Sequence, residues 1–147
     1  MLFGFTTSFR MGQLLRYSLV IPDHDPRVPV EKYMATAFIN AVRECLKANG
    51  AAKATNGVEE GGTFLVGYQG RLFRIEGDYQ VGETTNGYDA CGCGQDLARG
   101  SMFSTKSRGK ARDRIVQALK AAEYHSAGVC GPFKILATST TQQRRRT

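Results

Sequence analysis

Two glycines flanking a single cysteine, Gly92-Cys93-Gly94, constrain this chain more than any other stretch. They stand inside Tyr88-Asp89-Ala90-Cys91-Gly92-Cys93-Gly94-Gln95-Asp96-Leu97-Ala98-Arg99-Gly100, with a strand-like run, Gly77 to Val81, before them and a helical pattern after them. Glycine adopts backbone angles that other residues resist, so a strand can become a helix within a few residues there. The free amides of the first helical turn then face whatever fills the cleft above the sheet. Cys93 is held between the glycines and aimed at the same place. A plain glycine-rich loop is the competing reading.

Taken in order, the chain begins with the apolar stub Leu2-Phe3-Gly4-Phe5, and Thr6, Thr7 or Ser8 can cap a following helix through a side-chain oxygen. Met11, Leu14, Leu15 and Leu19 give that helix a buried face, and Pro22 and Pro26 end it. Pro29 opens a second helix whose stripe is Met34, Phe38, Val42, Cys45 and Leu46, ending near Asn49-Gly50. Lys47 to Gly62 reads as a polar loop. Thr63–Tyr68 and Arg71–Ile75 read as a strand hairpin turning at Gln69-Gly70. After the glycine turn come a short helix from Gln95 towards Phe103 and a basic loop. A long helix follows from Ala111 to Tyr124, with Ile115, Leu119 and Ala122 expected inside. Phe133–Leu136 reads as a last strand. Residues 1–137 form one domain in this reading, and 138–147 a polar, basic tail expected to be disordered.

Composition narrows the function classes. The 147 residues are 41% hydrophobic and 22% charged, which is globular rather than disordered, and no apolar run reaches membrane-spanning length. The start has no basic region before its short apolar stub, so it does not read as a signal peptide, and a cytoplasmic protein is expected. Cys91 and Cys93 are too close for a usual zinc half-site, and neither His24 nor His125 stands at ligand spacing, so the four cysteines read as reduced thiols. Of the net charge of +7, three charges sit in Arg144-Arg145-Arg146, and Lys106, Arg108, Lys110, Arg112 and Arg114 add more. Without interleaved aromatics this makes nucleic-acid binding a minor reading.

The order of these elements resembles the second half of a proteasome-type subunit, most closely the HslV-like peptidases of the N-terminal-nucleophile hydrolases. In that family a strand ends in Gly-Ser-Gly, two helices follow, and a small-residue turn leads to the last strands. Gly92-Cys93-Gly94 and His125-Ser126-Ala127-Gly128 stand at those places, and Gly4-Phe5-Thr6-Thr7-Ser8 with its helix extends the likeness over Leu2 to Leu136. The resemblance implies an α+β fold, an αββα sandwich lacking its amino-terminal strands. It implies a threonine peptidase subunit that assembles into a homo-oligomeric ring, works with an ATP-driven unfoldase and takes polypeptide substrates.

Family chemistry uses an amino-terminal threonine whose hydroxyl attacks the peptide carbonyl and whose own amine, or a water beside it, takes the proton. The resemblance places that threonine and its lysine partner ahead of Met1, so no catalytic residue is expected here and the chain is expected to be silent. Thr7 and Ser8 match the turn whose backbone amide serves as oxyanion donor, although the family has glycines there. Gly92, Cys93 and Gly94 match the turn beside the nucleophile, with Cys93 in the serine's place as a weaker donor. Cys93 as nucleophile is a further reading, but no histidine in the sequence is tied to it. Glu123 and Ser126 match an Asp-x-x-Ser-Gly element loosely, with helix termination as an equal alternative. The resemblance implies no cofactor beyond a monovalent cation, Na+ or K+, near Ser126 and Gly128. A non-catalytic ring or scaffold protein of the same fold is the runner-up, and strands left unpartnered by the missing segment predict self-association.

Overall fold

The computed structural model describes residues 1–6, 8–55 and 57–138; Thr7 and most of the basic tail lie outside these residues. Four antiparallel strands form the main sheet in the order β1-β4-β5-β6. β1 (Leu2–Phe5) pairs with β4 (Phe64–Tyr68), placing Leu2 opposite Gly67 and Phe5 opposite Phe64. β4 pairs with β5 (Arg71–Ile75), and β5 with β6 (Val81–Glu83). The β4–β5 turn is the expected one: Gln69 and Gly70 have φ of 49° and 77°, the left-handed pair that matches the twist of a two-residue hairpin. The stretch expected as a strand over Gly77–Val81 begins later, because Glu76 to Gln80 closes a turn before β6 starts.

Alternation along β4 and β5 gives the sheet two unlike faces. Phe64, Val66, Phe73 and Ile75 are buried on one side. Against them pack α1 (Phe9–Tyr17), through Met11, Leu14 and Leu15, and a helical rod from Val30 to Ala48. That rod consists of α2 (Val30–Tyr33), a wider π turn over Met34–Phe38, and α3 (Ile39–Ala48). The Thr36 hydroxyl donates to the Lys32 carbonyl at 2.6 Å within the widened turn, a bond that competes with the regular backbone ladder. The expected stripe Met34, Phe38, Val42 and Leu46 is fully buried, with Cys45 at its margin.

Ser8 caps α1: its backbone is extended and its Oγ accepts from the Met11 amide at 3.2 Å. Ser8→Ala is expected to cost about 1 kcal/mol, read as a lowered urea midpoint with an unchanged slope.

The other face, with Gly4, Leu65 and Leu72, looks onto a second helix pair, α4 (Gln95–Ser104) and α5 (Ala111–His125). These helices pack chiefly on each other, through Ala98, Met102, Ala118 and Ala122. Between them and the sheet remains a cleft of about 430 Å³. Among the described residues no second large sheet fills it; the architecture is α+β, with helices beyond both faces of one sheet.

Three expectations need correction. The polar loop Lys47–Gly62 contains a hairpin, β2 (Lys53–Thr55) with β3 (Val58–Glu60), that polar composition concealed. Phe133–Leu136 is not a strand, since Lys134 and Leu136 line a hollow with Leu2, Leu65 and Leu72 rather than pairing along a sheet edge. On α5, Ala118 and Ala122 are buried, whereas Ile115 is 38% exposed and, with Leu119, lines the open cleft.

Candidate functional site

Three turns distant in sequence meet at the start of α4: the end of β1 at Thr6, the glycine turn at 91–94, and the turn that closes α5 at 126–131. The contact between the first two is tight. A Cβ on Gly92 would stand 3.1 Å from Thr6 Oγ1, and Gly92 has φ of 108°, so glycine is required both for space and for conformation. The second and third turns are equally close, since a Cβ on Gly128 would lie 3.0 Å from both Cβ and Sγ of Cys93. Gly94 sits against Ala122 and Val129, and so lets the start of α4 press on the end of α5.

Each expected site residue has a definite environment within this arrangement. The Ser8 amide donates to the Thr6 carbonyl at 2.7 Å, so the nitrogen matched to an oxyanion donor is already engaged. Thr7, its companion in that expectation, lies outside the described residues. Cys93 is exposed, and among the described residues no hydrogen bond ties it to a base. His24 is far along a different path. Its Nε2–H donates to the Val28 carbonyl at 2.8 Å, which leaves Nδ1 to accept from the Tyr68 hydroxyl at 3.0 Å, and its ring stacks on Tyr33. His125, the last residue of α5, has its ring edge-on to Tyr124, and among the described residues no hydrogen bond joins either histidine to Cys93, so activation of the thiol by a paired histidine has no support in this geometry.

Glu123 turns its carboxylate to the Gly131 amide at 2.7 Å and tethers the segment after α5 to the helix. Ser126 follows the last residue of α5, and its carbonyl accepts from the Val129 amide at 3.1 Å. Helix termination is thus a role both residues visibly perform. Of the oxygens near the expected sodium or potassium position at Ser126 and Gly128, the Ser126 carbonyl already accepts from the Val129 amide, and among the described residues no cluster of three His, Cys, Asp or Glu side chains occurs. Cys91 is turned inward, with its thiol 3.7 Å from the Gly4 carbonyl, and burial pushes its pKa up, so it stays protonated at neutral pH.

What holds the glycine turn in place is a charged cluster that sequence reasoning did not single out. The side chain of Asp89 is only 9% exposed; its Oδ1 accepts from Arg99 Nε at 2.6 Å and from the Ala90 amide at 2.7 Å. Arg74, on β5, donates to the Ala90 carbonyl at 2.8 Å and to Glu76 at 2.5 Å. The sheet, the segment before the turn and α4 are joined through these side chains. The available signal was Asp89 and Arg99 bracketing the two glycines with opposite charge.

The basic loop is not a uniform surface patch either. Arg114 donates to the Met102 carbonyl at 2.8 Å and so satisfies the end of α4, while Arg108, Lys110 and Arg112 remain exposed. No helix among the described residues is long and apolar enough to cross a membrane. No family model, no curated protein and no solved structure matches the chain.

Proposed function

We propose that this chain is a proteasome-type, HslV-like subunit that supplies the supporting turns of a threonine-peptidase site but not its nucleophile. The observation that carries this reading is the meeting of three turns which the resemblance assigns to one site: Thr6 against Gly92, and Cys93 against Gly128. The cleft between the sheet's second face and the pair α4–α5 is then the place of the second sheet in an αββα sandwich. Polypeptide substrates, a homo-oligomeric ring and an ATP-driven unfoldase belong to the same proposal.

Peptide hydrolysis by this route needs a hydroxyl and a free amine on one residue. Thr6 sits in mid-chain with its nitrogen in a peptide bond, so the residues at the turns steady a site rather than perform the attack. The engaged Ser8 amide and the thiol in the serine's place favour, as a second reading, a ring or scaffold role without catalysis.

The purified chain is expected to show no threonine-inhibitor-sensitive turnover of fluorogenic peptides, and to sediment as a closed ring rather than as a monomer. Inhibitor-sensitive turnover would overturn the silent assignment. A compact monomer at all concentrations would overturn the ring.

A further inference from the structure

We propose that a second cleft, between β6 and α4, binds a small monocarboxylate with a flat apolar body, its oxygens held by the Arg99 guanidinium. This cleft lies outside the three-turn site and has a volume of about 550 Å³, within the range of pockets that take small organic molecules.

Four observations define the ligand. First, Arg99 is aimed rather than free. Its Nε is bound to the nearly buried Asp89, which fixes the plane of the guanidinium, while the side chain remains 37% exposed and lines the cleft. Among the described residues the other partner of Arg99 is Asp96, at 3.7 Å on a carboxylate that is 87% exposed, a contact a ligand can displace. A planar fork fixed in this way suits two carboxylate oxygens at once.

Second, Thr84 lines the same cleft, and its Oγ1 is buried without a hydrogen-bond partner among the described residues. A buried hydroxyl left unpaired is costly, and a polar group on a ligand satisfies it only where the cleft wall at Thr84 yields on binding. Third, the charged groups of the lining are already paired, Arg99 with Asp89, Arg74 with Glu76 and Glu83 with Arg71. A singly charged anion can share Arg99 under that pairing, whereas a phosphate, carrying close to two charges, is repelled by the Glu83 and Asp89 carboxylates. Fourth, the α4 wall is open and apolar. A Cβ on Gly100 would meet nothing within 4 Å, and the Phe103 ring one turn on is 72% exposed at the rim. Phe103 and Tyr88 both line the cleft, and stacking on an aromatic face rewards a flat ligand body.

The test is an amide-resolved NMR titration of the full chain with benzoate, benzamide and inorganic phosphate. Benzoate is expected to shift the amides of Thr84, Thr85 and Gly100, and to bind about tenfold more tightly than either of the others. Arg99→Gln should remove that preference. Because Asp89 depends on Arg99, Phe103→Ala provides a variant that leaves the buried charges intact; it should weaken benzoate severalfold without changing the melting temperature. Equal binding of benzoate and benzamide, tighter binding of phosphate, shifts centred elsewhere, or no shift at about 50 mM benzoate would each overturn the proposal.

Discussion

Phe38→Ala is expected to lower stability by about 3–5 kcal/mol, as large a loss as truncating either of the other fully buried rings, Phe64 and Phe73. Phe38 is completely buried where the helical rod crosses the sheet, and its ring lies within 6.2 Å of the Phe3 ring and 6.5 Å of Tyr33. Truncation removes apolar contact with β1 and the rod together, and the neighbours cannot close the space without moving a helix. A domain of this size has a total stability of about 5–15 kcal/mol, so a large share of the variant should be unfolded at physiological temperature. Guanidinium titration followed by circular dichroism reads this directly. A loss below about 1 kcal/mol would mean that the rod and sheet repack freely, and the core described above would have to be redrawn.

Gly94→Val is expected to have a smaller effect, and a local one. A Cβ at residue 94 would lie 2.7 Å from Ala122 Cβ and 2.8 Å from Val129 Cγ2, closer than carbon atoms approach without displacement. Ala122 is a residue of the small α4–α5 cluster, so the branched side chain must push the two helices apart. Overpacking of this kind costs about 1–3 kcal/mol. The cost should fall on that helix pair rather than on the larger core. Hydrogen exchange should therefore quicken at amides 98–122 and remain slow in β4, β5 and α3. Uniform acceleration across the whole chain would show that both helix layers unfold as one unit.

The parts of the fold that were legible in the sequence are those fixed by local chemistry. Gln69-Gly70 is a turn because two consecutive left-handed residues suit a two-residue hairpin, and the stripe from Met34 to Leu46 is a buried face because its spacing matches the helical period. The glycine turn was legible in part: Gly92 has the φ of 108° that favours glycine, but the atoms its two glycines meet, on Thr6, Ala122 and Val129, are distant in sequence, and it is Cys91 rather than the exposed Cys93 that lines the cleft. What escaped depends on partners distant in sequence. Phe133–Leu136 alternates like a strand, but alternation does not supply an edge to pair with, and its residues lie beside Leu2 and Leu72 instead. Ile115 and Leu119 were expected inside because they are the large apolar residues of α5. The smaller Ala118 and Ala122 are buried because only they allow α4 to come close. For Asp89 the sequence offered only the opposite charge of Arg99 across the glycines; its burial also depends on Arg74, which comes from β5.

The pairing of β1 with β4 sets a clock on the molecule. Leu2 lies opposite Gly67, about 65 residues later in the chain, so β1 has no β4 to pair with until the hairpin has been made. At roughly 5–20 residues per second, Leu2–Phe5 waits on the order of 3–13 s on the ribosome. Phe3, which packs on Phe38 and Phe64 in the finished fold, lacks the Phe64 part of that cover through the interval. β1 is therefore left longer without its ladder partner than β4 or β5, and slower translation between Phe5 and Phe64 prolongs that interval.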